Sequence, residues 1–517
     1  MMNKKRRIST LLVLGFLGVL ESCSRNQTTP QDQASQSTSA PALSSTPLEG
    51  GELRFGITTE PATLDPLSPS NTADGRSILF NVFEGLVKPD TQGNFQPAVA
   101  DQYEIKQDGL VYAFRLRPGV KFHNGSAVQA EDVVFTLDTA MQAGFTGFNR
   151  IARVEQTSDQ DITITLKSPD PEFLPYLTIG IVPKHHPDRE GTPIGTGPFS
   201  IATYTTQQSL VLVKNPHYWQ EGVPHLDQVT YVFTADSDAL LLALQGGNID
   251  AASITSALVQ QLDPNRFDML PSPSNSVQLL ALNNAVKPLD DVRVRQAICY
   301  AVDITQIIDT AFYGMGEPSG SPLIPGLSSY YDTSLKNPYP VDIQKAQELL
   351  AEAGYGRGFS LEITVPANYT MHVDTAQVVV NQLANIGVSA TIKLVDWATW
   401  LADVYRGRRY QGTIISLDAP QVSPRSFLER YRSNAGSNFV NFNNPAYDAV
   451  YDAILVEPDE QQRIALYRQA QQIISAEAAS VYIQDIWGFW TFPKGRFGGI
   501  VSYPLYVYDV SAIYRLQ

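Results

Sequence analysis

Cysteine is scarce in this chain: Cys23 and Cys299 are the only two among 517 residues. Two cysteines cannot form a disulfide framework, and Cys299 is unpaired if Cys23 is modified, so the fold must depend on its hydrophobic core. Cys299 lies between Ile298 and Tyr300 in an apolar helical pattern. This pattern predicts a buried side chain without a chemical role.

Basic residues are also few: the chain has 37 Lys and Arg residues and 52 Asp and Glu residues, which gives a net charge of −15. Removing residues 1–22, which carry four basic side chains and one acidic one, makes the net charge −18. A strongly acidic protein repels the phosphate backbone of nucleic acids. The charge therefore excludes a nucleic-acid partner.

The chain lacks the common short motifs of enzymes. G-x-S-x-G, H-E-x-x-H, C-x-x-C and G-x-x-x-x-G-K-[ST] are all absent. These motifs carry nucleophilic, zinc, redox and phosphate-binding chemistry, respectively. We therefore predict that the protein is not an enzyme and has neither catalytic residues nor a cofactor. The enzyme alternative, for example a secreted hydrolase, is disfavoured.

Histidine is similarly sparse, with six residues in the chain. Only His185 and His186 are adjacent, and Pro183 and Pro187 flank them. Adjacent side chains rarely reach one ion, and the flanking prolines indicate a surface loop. We assign no metal ligands from this pattern.

Long hydrophobic runs are absent, except for a ten-residue apolar stretch at residues 11–20. It follows a basic segment at residues 4–7 and is too short to span a bilayer, which is typical of a cleaved signal peptide. The next residues, Leu20-Glu21-Ser22-Cys23, resemble the lipobox of bacterial lipoproteins, with Glu21 an unusual residue before the cleavage site. We predict a signal peptide at 1–22 and lipidation of Cys23; the alternative is an ordinary secretory signal followed by an unrelated cysteine.

Residues 24–49 read SRNQTTPQDQASQSTSAPALSSTPLE, a tract with few large apolar side chains. Such a composition cannot offset the entropy of ordering the chain. Residues 23–49 are therefore predicted to be a disordered tether. Together with the lipid, this tether would hold the folded part outside the cytoplasm, at the periplasm or the cell surface, anchored to a bacterial membrane.

The remaining chain is too long for one hydrophobic core, since 495 residues follow the predicted signal peptide, and this length favours two or three lobes. Strand and helix patterns alternate, which predicts an α/β fold. The alternation over residues 110–117 indicates a half-buried strand that ends at Pro118-Gly119. Helical spacing predicts one helix from Asp342 to Ala353 and another from Asp291 to about Thr310.

Several separated segments resemble the peptide-, dipeptide- and nickel-binding proteins of ABC importers, which form family 5 of the extracellular solute-binding proteins. The most specific is DGLVYAFRLRPGVKFHNG at residues 108–125, which continues to AEDVVF at 130–135. The other segments follow in the family's order: EPATLDP at 60–66, FEGLV at 83–87, GTGPF at 195–199, KNPHYW at 214–219, LNN at 282–284 and DVRVRQA at 291–297.

The resemblance implies a two-lobed α/β periplasmic-binding-protein fold of class II with a subdomain inserted in the first lobe. We expect the base of lobe I at residues 50–65, 190–275 and 490–517, the inserted subdomain at 66–189, and lobe II at 276–489. Two connections near residues 275 and 489 would then act as a hinge, and a solute would bind between the lobes.

The family's peptide binders carry a G-W-x-x-D-Y-x-x-P stretch whose Asp pairs with the amino terminus of the peptide. The corresponding segment here, residues 416–424, has Pro420 at the Asp position and Leu417 at the Trp position, while Asp418 is displaced by two residues. Asp418 is a ligand-binding candidate if the loop is remodelled, and otherwise a solvated carboxylate. The other candidates are Trp397, Trp400 and Arg425; the alternatives for them are core packing for the tryptophans and a solvated basic stretch for the arginine.

The function implied by the resemblance is capture of a peptide or peptide-like solute and its delivery to the permease subunits of an ABC importer. Family members of this kind are expected to be monomers. Two alternatives remain open at this point: uptake of a nickel chelate, since the family includes nickel binders, and a peptide sensor or chaperone on the same fold.

Overall fold

The computed structural model describes residues 47–71, 73–186, 188–418, 423–503 and 507–517. The predicted signal peptide, Cys23 and the tether up to residue 46 lie outside this part of the chain. Leu48 forms an isolated antiparallel bridge with Arg515. The folded part therefore includes residues just before the predicted start at Gly50.

Strands and helices alternate along the described chain, as the sequence predicts. The strands are, in chain order, β1 (Glu52–Ile57), β2 (Val87–Pro89), β3 (Phe95–Pro97), β4 (Ala100–Lys106), β5 (Val111–Leu116), β6 (Ile151–Gln156), β7 (Asp161–Leu166), β8 (Phe199–Thr205), β9 (Ser209–Lys214), β10 (Gln228–Phe233), β11 (Ala251–Thr255), β12 (Phe267–Leu282), β13 (Gly316–Pro318), β14 (Ser360–Pro366), β15 (Ser389–Val395), β16 (Gly412–Asp418), β17 (Ser480–Pro493), β18 (Phe497–Gly498) and β19 (Tyr514–Arg515).

The helices are of moderate length, and none in the described ranges has the length and apolarity that crossing a bilayer would require. A π-helix at Trp400–Arg406 directly follows one of the α-helices. The α-helices are α1 (Ala73–Leu79), α2 (Ala130–Gln142), α3 (Ser237–Gln245), α4 (Ser256–Val259), α5 (Val292–Ala301), α6 (Ile304–Ala311), α7 (Ile343–Glu352), α8 (Thr370–Ala384), α9 (Trp397–Thr399), α10 (Pro424–Leu428), α11 (Pro445–Val456) and α12 (Glu460–Ala476).

The largest sheet has the strand order β15-β14-β16-β12-β17-β11-β1-β10-β9-β8, and β13 also pairs with β17. Strand β14 is parallel to both of its neighbours, and so is β1. Between these two parallel groups run β12 and β17, a long antiparallel pair whose register shifts between Pro273 and Val277. A separate sheet with the order β4-β5-β7-β6 packs against α2.

Side-chain alternation sends neighbouring residues of β12 to opposite faces of the large sheet. Leu279 packs with Ile415 in a cluster that includes residues of α11 and α12. Leu280 packs with Ile414 in a second cluster, which includes residues of α5, α7 and α8. Both faces of this half of the sheet are therefore covered, as expected for parallel strands.

Two predicted elements have the expected limits and faces. Tyr112, Phe114 and Leu116 of β5 are buried, whereas Arg115 is exposed. Helix α7 begins after Asp342, whose carboxylate accepts a hydrogen bond from the backbone N–H of Lys345 at 2.9 Å. Such a cap satisfies one of the free N–H groups of the first helical turn.

The helix predicted from Asp291 to about Thr310 is wrong as a single element, because α5 ends at Ala301 and α6 begins at Ile304. Val302 is extended, and Asp303 accepts a hydrogen bond from the backbone N–H of Gln306 at 3.0 Å. A side chain that caps a new helix competes with continuation of the preceding one. Cys299 of α5 is buried as predicted, and burial raises the pKa of its thiol to about 12.

Candidate functional site

A cavity of about 910 Å³ opens at the carboxyl ends of the parallel strands β14, β15 and β16. Tyr369 and His372 follow β14, Trp397 follows β15, and Asp418 is the last residue of β16; all four line the cavity. Parallel strands bring their carboxyl ends to one edge of a sheet, which is where open α/β folds bind ligands. The topology therefore concentrates these side chains at one place.

Residues before position 220, many of them apolar, supply a large part of the remaining lining, and Tyr503, Val507, Asp509 and Ser511 near the end of the chain also line the cavity. The cavity volume is near the upper end of the range for small-molecule sites, about 300–1,000 Å³. The aromatic side chains that line the cavity are Phe80, Phe83, Phe95, Phe145, Phe148, Tyr176, Tyr218, Tyr369, Trp397, Phe427 and Tyr503.

The structure places the sequence candidates Trp397 and Asp418 in this cavity. Trp397 is 38% exposed, and its ring stacks on that of Trp400 with the centroids 5.1 Å apart. Asp418 is exposed, and its backbone carbonyl accepts a hydrogen bond from Nη2 of Arg430 at 2.9 Å. The carboxylate of Asp418 has no ion-pair partner among the residues that the structure describes.

His372 is a lining residue that the sequence patterns did not single out. The hydroxyl of Thr375 donates to the carbonyl oxygen of Met371 at 2.8 Å, so its oxygen accepts from Nε2 of Gln278 at 3.0 Å. The same amide nitrogen lies 3.1 Å from Nδ1 of His372, which must therefore be the acceptor. Burial lowers the pKa of His372 to about 4, so the ring is neutral near pH 7 and carries its proton on Nε2.

Asp485 lies beneath the cavity, where the register of β12 and β17 shifts. Its Oδ1 accepts hydrogen bonds from the hydroxyl of Ser274 at 3.0 Å and from the backbone N–H of Ser276 at 3.4 Å. Both serines line the cavity. Asp485 is 1% exposed, and this burial raises the pKa of its carboxyl group to about 7.

Trp400 and Arg425 do not line the cavity, so the prediction that they contact the ligand is wrong. Trp400 is buried, and its indole N–H donates to the hydroxyl of Thr413 at 2.9 Å. Arg425 is also buried, and Nη1 and Nη2 of its guanidinium each donate to one carboxylate oxygen of Asp170 at 2.8 Å. Both side chains therefore bind partners within the protein instead of contacting a ligand.

Arg425 belongs to a buried ionic cluster. Its Nε lies 3.3 Å from Glu172, which is also 3.5 Å from Arg463 and accepts a hydrogen bond from the hydroxyl of Tyr467. Burial would raise the pKa of Asp170, but the neighbouring guanidinium groups outweigh that effect and lower it. The carboxylates follow β7, whereas the basic residues belong to α10 and α12, so the cluster joins segments more than 250 residues apart.

Of the histidine pair predicted to lie in a surface loop, His185 is exposed and His186 is half-buried. The His185 ring lies 3.5 Å from Glu131. Across the described ranges, no group of three or more His, Cys, Asp or Glu side chains is placed to hold a metal ion.

Comparison with known proteins places the chain among transport proteins. Residues 94–439 match the model of the bacterial extracellular solute-binding proteins, family 5 Middle. The chain is 30% identical over 441 residues to heme-binding protein A of Haemophilus influenzae, covering 77% of this chain and 80% of that protein. It is 29% identical over 469 residues to the glutathione-binding protein GsiB of Salmonella typhimurium, covering 84% and 91%.

Solved structures show the same architecture. The ABC transporter substrate-binding protein CtaP of Listeria monocytogenes superposes with a TM-score of 0.81 at 25% identity, covering 91% of this chain and 100% of that one. The periplasmic binding protein DppA of Helicobacter pylori, in complex with the peptide STSA, gives 0.71 at 26% identity, covering 91% and 99%. The fold is thus the two-lobed α/β fold of periplasmic binding proteins, and the protein is a non-enzymatic substrate-binding component of an ABC importer. The chain belongs to the bacterial extracellular solute-binding proteins of family 5.

Proposed function

We propose that this protein captures a peptide or peptide-like solute and delivers it to the permease subunits of its importer. The observation that carries the proposal is an open strand edge inside the cavity. Strand β16 pairs with β14 only through Gly412 and Thr413, whereas it pairs with β12 along its whole length. Ile415, Ser416 and Asp418 of β16 line the cavity beyond that contact.

An extended peptide can add to such an edge through backbone hydrogen bonds, while pockets accept its side chains. The hydroxyl oxygen of Ser416 and Oδ1 of Asn275, both at the cavity wall, have no hydrogen-bond partner among the described residues. The aromatic lining supplies apolar surface for ligand side chains. Glutathione, which the name of the relative GsiB gives as its ligand, is a peptide-like solute and belongs to the class of ligand proposed here.

Capture would proceed by closure of two lobes about a hinge. We place the base of lobe I at residues 50–65, 190–275 and 490–517, its inserted subdomain at 66–189, and lobe II at 276–489. The register shift between Pro273 and Val277 supports a hinge near residue 275, because pairing between β12 and β17 is interrupted there. The cavity has lining residues from both proposed lobes.

The direct test of the function is calorimetric titration of the purified protein with four probes: the peptide Ser-Thr-Ser-Ala, glutathione, hemin and a nickel–histidine chelate. Native mass spectrometry of the same preparation should show bound masses that match a series of peptides. Binding of either peptide probe, or such a series, supports the proposal. Binding of hemin or the nickel chelate alone overturns it, as does a preparation that carries no peptide and binds none of the probes.

The aromatic residues that line the cavity give the first mutational test. Replacing Trp397 with alanine should weaken binding of the captured peptide by about tenfold or more, because a partly exposed indole at a cavity wall supplies large apolar contact area. The change is measured by isothermal titration. Tyr313→Ala serves as the control, because this aromatic side chain is 56% exposed and does not line the cavity. Equal affinities for the wild type and Trp397→Ala would remove Trp397 from the site.

We further propose that Cys23 carries a lipid that anchors the protein to a bacterial membrane outside the cytoplasm, with residues 23–49 as its tether. Replacing Cys23 with alanine should abolish incorporation of labelled fatty acid and move the protein from the membrane pellet to the soluble fraction. Cys299→Ala is the matched control, because this second cysteine is buried in the folded part. Retention of the label in Cys23→Ala would show that the lipid lies elsewhere.

A further inference from the structure

Among the side chains that the structure describes, five charged ones other than histidine line the cavity: Arg76, Glu84, Lys88, Asp418 and Asp509. The contacts of each within the protein decide which of them remains available to a ligand. A charge that lines the cavity and has no partner in the protein can pair with a ligand group of opposite charge.

Three of the five are already satisfied. Glu84 accepts hydrogen bonds from the hydroxyl of Tyr218 at 2.8 Å and the indole N–H of Trp219 at 2.7 Å, and it pairs with Lys88 at 3.2 Å. Asp509 likewise accepts hydrogen bonds at both carboxylate oxygens, from the hydroxyl groups of Tyr503 and Ser511, each at 2.6 Å.

Arg76 and Asp418 are different: both are exposed, and among the side chains that the structure describes neither has an ion-pair partner, and the Asp418 carboxylate accepts no hydrogen bond. Nη1 of Arg76 donates to the backbone carbonyl of Asn71 at 2.7 Å, which orients the guanidinium without neutralising it. Partial burial lowers the pKa of Arg76, and the negative charge of Asp418 acts in the opposite direction. Arg76 lies on α1 and Asp418 at the end of β16, so two distant segments of the chain supply the two charges that line the cavity.

We propose that Arg76 binds a carboxylate of the captured solute, so that the cavity selects a zwitterion whose cationic group faces Asp418. This inference rests on the proposed function and specifies its substrate class. A guanidinium offers two parallel N–H donors that match the two oxygens of a carboxylate. Leu79, Phe80 and Phe83 line the same cavity and supply apolar contact area beside that pairing.

The test uses a pool of tripeptides built from Ala, Ser, Leu, Phe and Tyr, offered with free carboxyl termini or as terminal amides. Ligands retained by the purified protein are counted by mass spectrometry. We expect the wild type to retain the free-carboxylate pool at least tenfold better than the amide pool. Arg76→Gln should lose that preference, and Arg76→Lys should keep part of it, because an ammonium group supplies the charge without the paired donors.

Arg115→Gln is the control for loss of one guanidinium, because Arg115 is exposed on β5 and does not line the cavity. Melting temperatures should show that all three variants are folded. A wild type that retains both pools equally overturns the proposal, and so does an Arg76→Gln variant that keeps the preference. A wild type that retains neither pool overturns this inference, whereas the proposed peptide function is decided separately by the titration with glutathione and Ser-Thr-Ser-Ala.

Discussion

Replacing Arg425 with methionine should lower the free energy of unfolding by about 3 kcal/mol, at the lower end of the cost of breaking a buried ion pair. Asp170, which is 5% exposed, would keep only its ion pair with Arg150, and Glu172 would lose its guanidinium neighbour at 3.3 Å but keep Arg463. Methionine fills much of the arginine volume, so the loss reflects the weaker compensation of the two carboxylates rather than a cavity. Urea denaturation followed by circular dichroism measures the effect.

Arg153→Met is the matched control for this substitution. Arg153 pairs with Glu155 at 2.7 Å, and the two side chains are 64% and 48% exposed, so its loss should cost about 1 kcal/mol or less. Asp170→Asn supplies the second arm of a double-mutant cycle. If the two side chains interact as described, the double variant should lose less stability than the two single variants together. An Arg425→Met variant as stable as Arg153→Met would contradict the assignment.

The position of Arg425 shows what local sequence patterns leave out. Its neighbours in the chain, Arg430 and Arg432, suggested a solvated basic stretch or a ligand contact. Its actual partner, Asp170, lies 255 residues away, and only the tertiary fold brings them together. Trp400 is a similar case, because its partner Thr413 belongs to a strand whose burial depends on packing from both faces.

Local features were predicted well where local physics decides the outcome. The alternation in β5 and the Asp342 cap of α7 each act within a few residues, and both are present in the structure. The break between α5 and α6 was missed, although Asp303 is a helix-capping residue type within the predicted helix.

The candidate site was only partly accessible from sequence. Asp418 was chosen from a family pattern and Trp397 as an aromatic residue on an apparent helix just before that segment, and both line the cavity. Tyr369 and His372 were missed, yet each follows the end of a strand that the structure shows to be parallel to its neighbours. Strand order was the missing information, because the carboxyl ends of parallel strands can be grouped only once the sheet is known.

A second large effect concerns the dependence of stability on pH, through Asp485. Burial raises the pKa of this carboxyl group from its ordinary value of 3.8 to about 7. Between these values the folded chain keeps a proton that the unfolded chain has released, so stability falls as the pH rises from about 4 to about 7. At about 1.4 kcal/mol for each pKa unit, the loss approaches 4 kcal/mol.

Asp485→Asn should remove this loss, because an amide stays neutral and its oxygen can still accept from Ser274 and Ser276. The free energy of unfolding of the variant minus that of the wild type should therefore increase by about 3–4 kcal/mol between pH 4 and pH 8. Asp374→Asn corrects for the change in net charge, because this residue is exposed on α8. A difference that stays constant with pH would mean that Asp485 is already ionised in the folded protein. In that case a cation or water that reaches the β12–β17 register shift would have to stabilise the charge, since no Lys or Arg of the described chain lies within ion-pair distance of it.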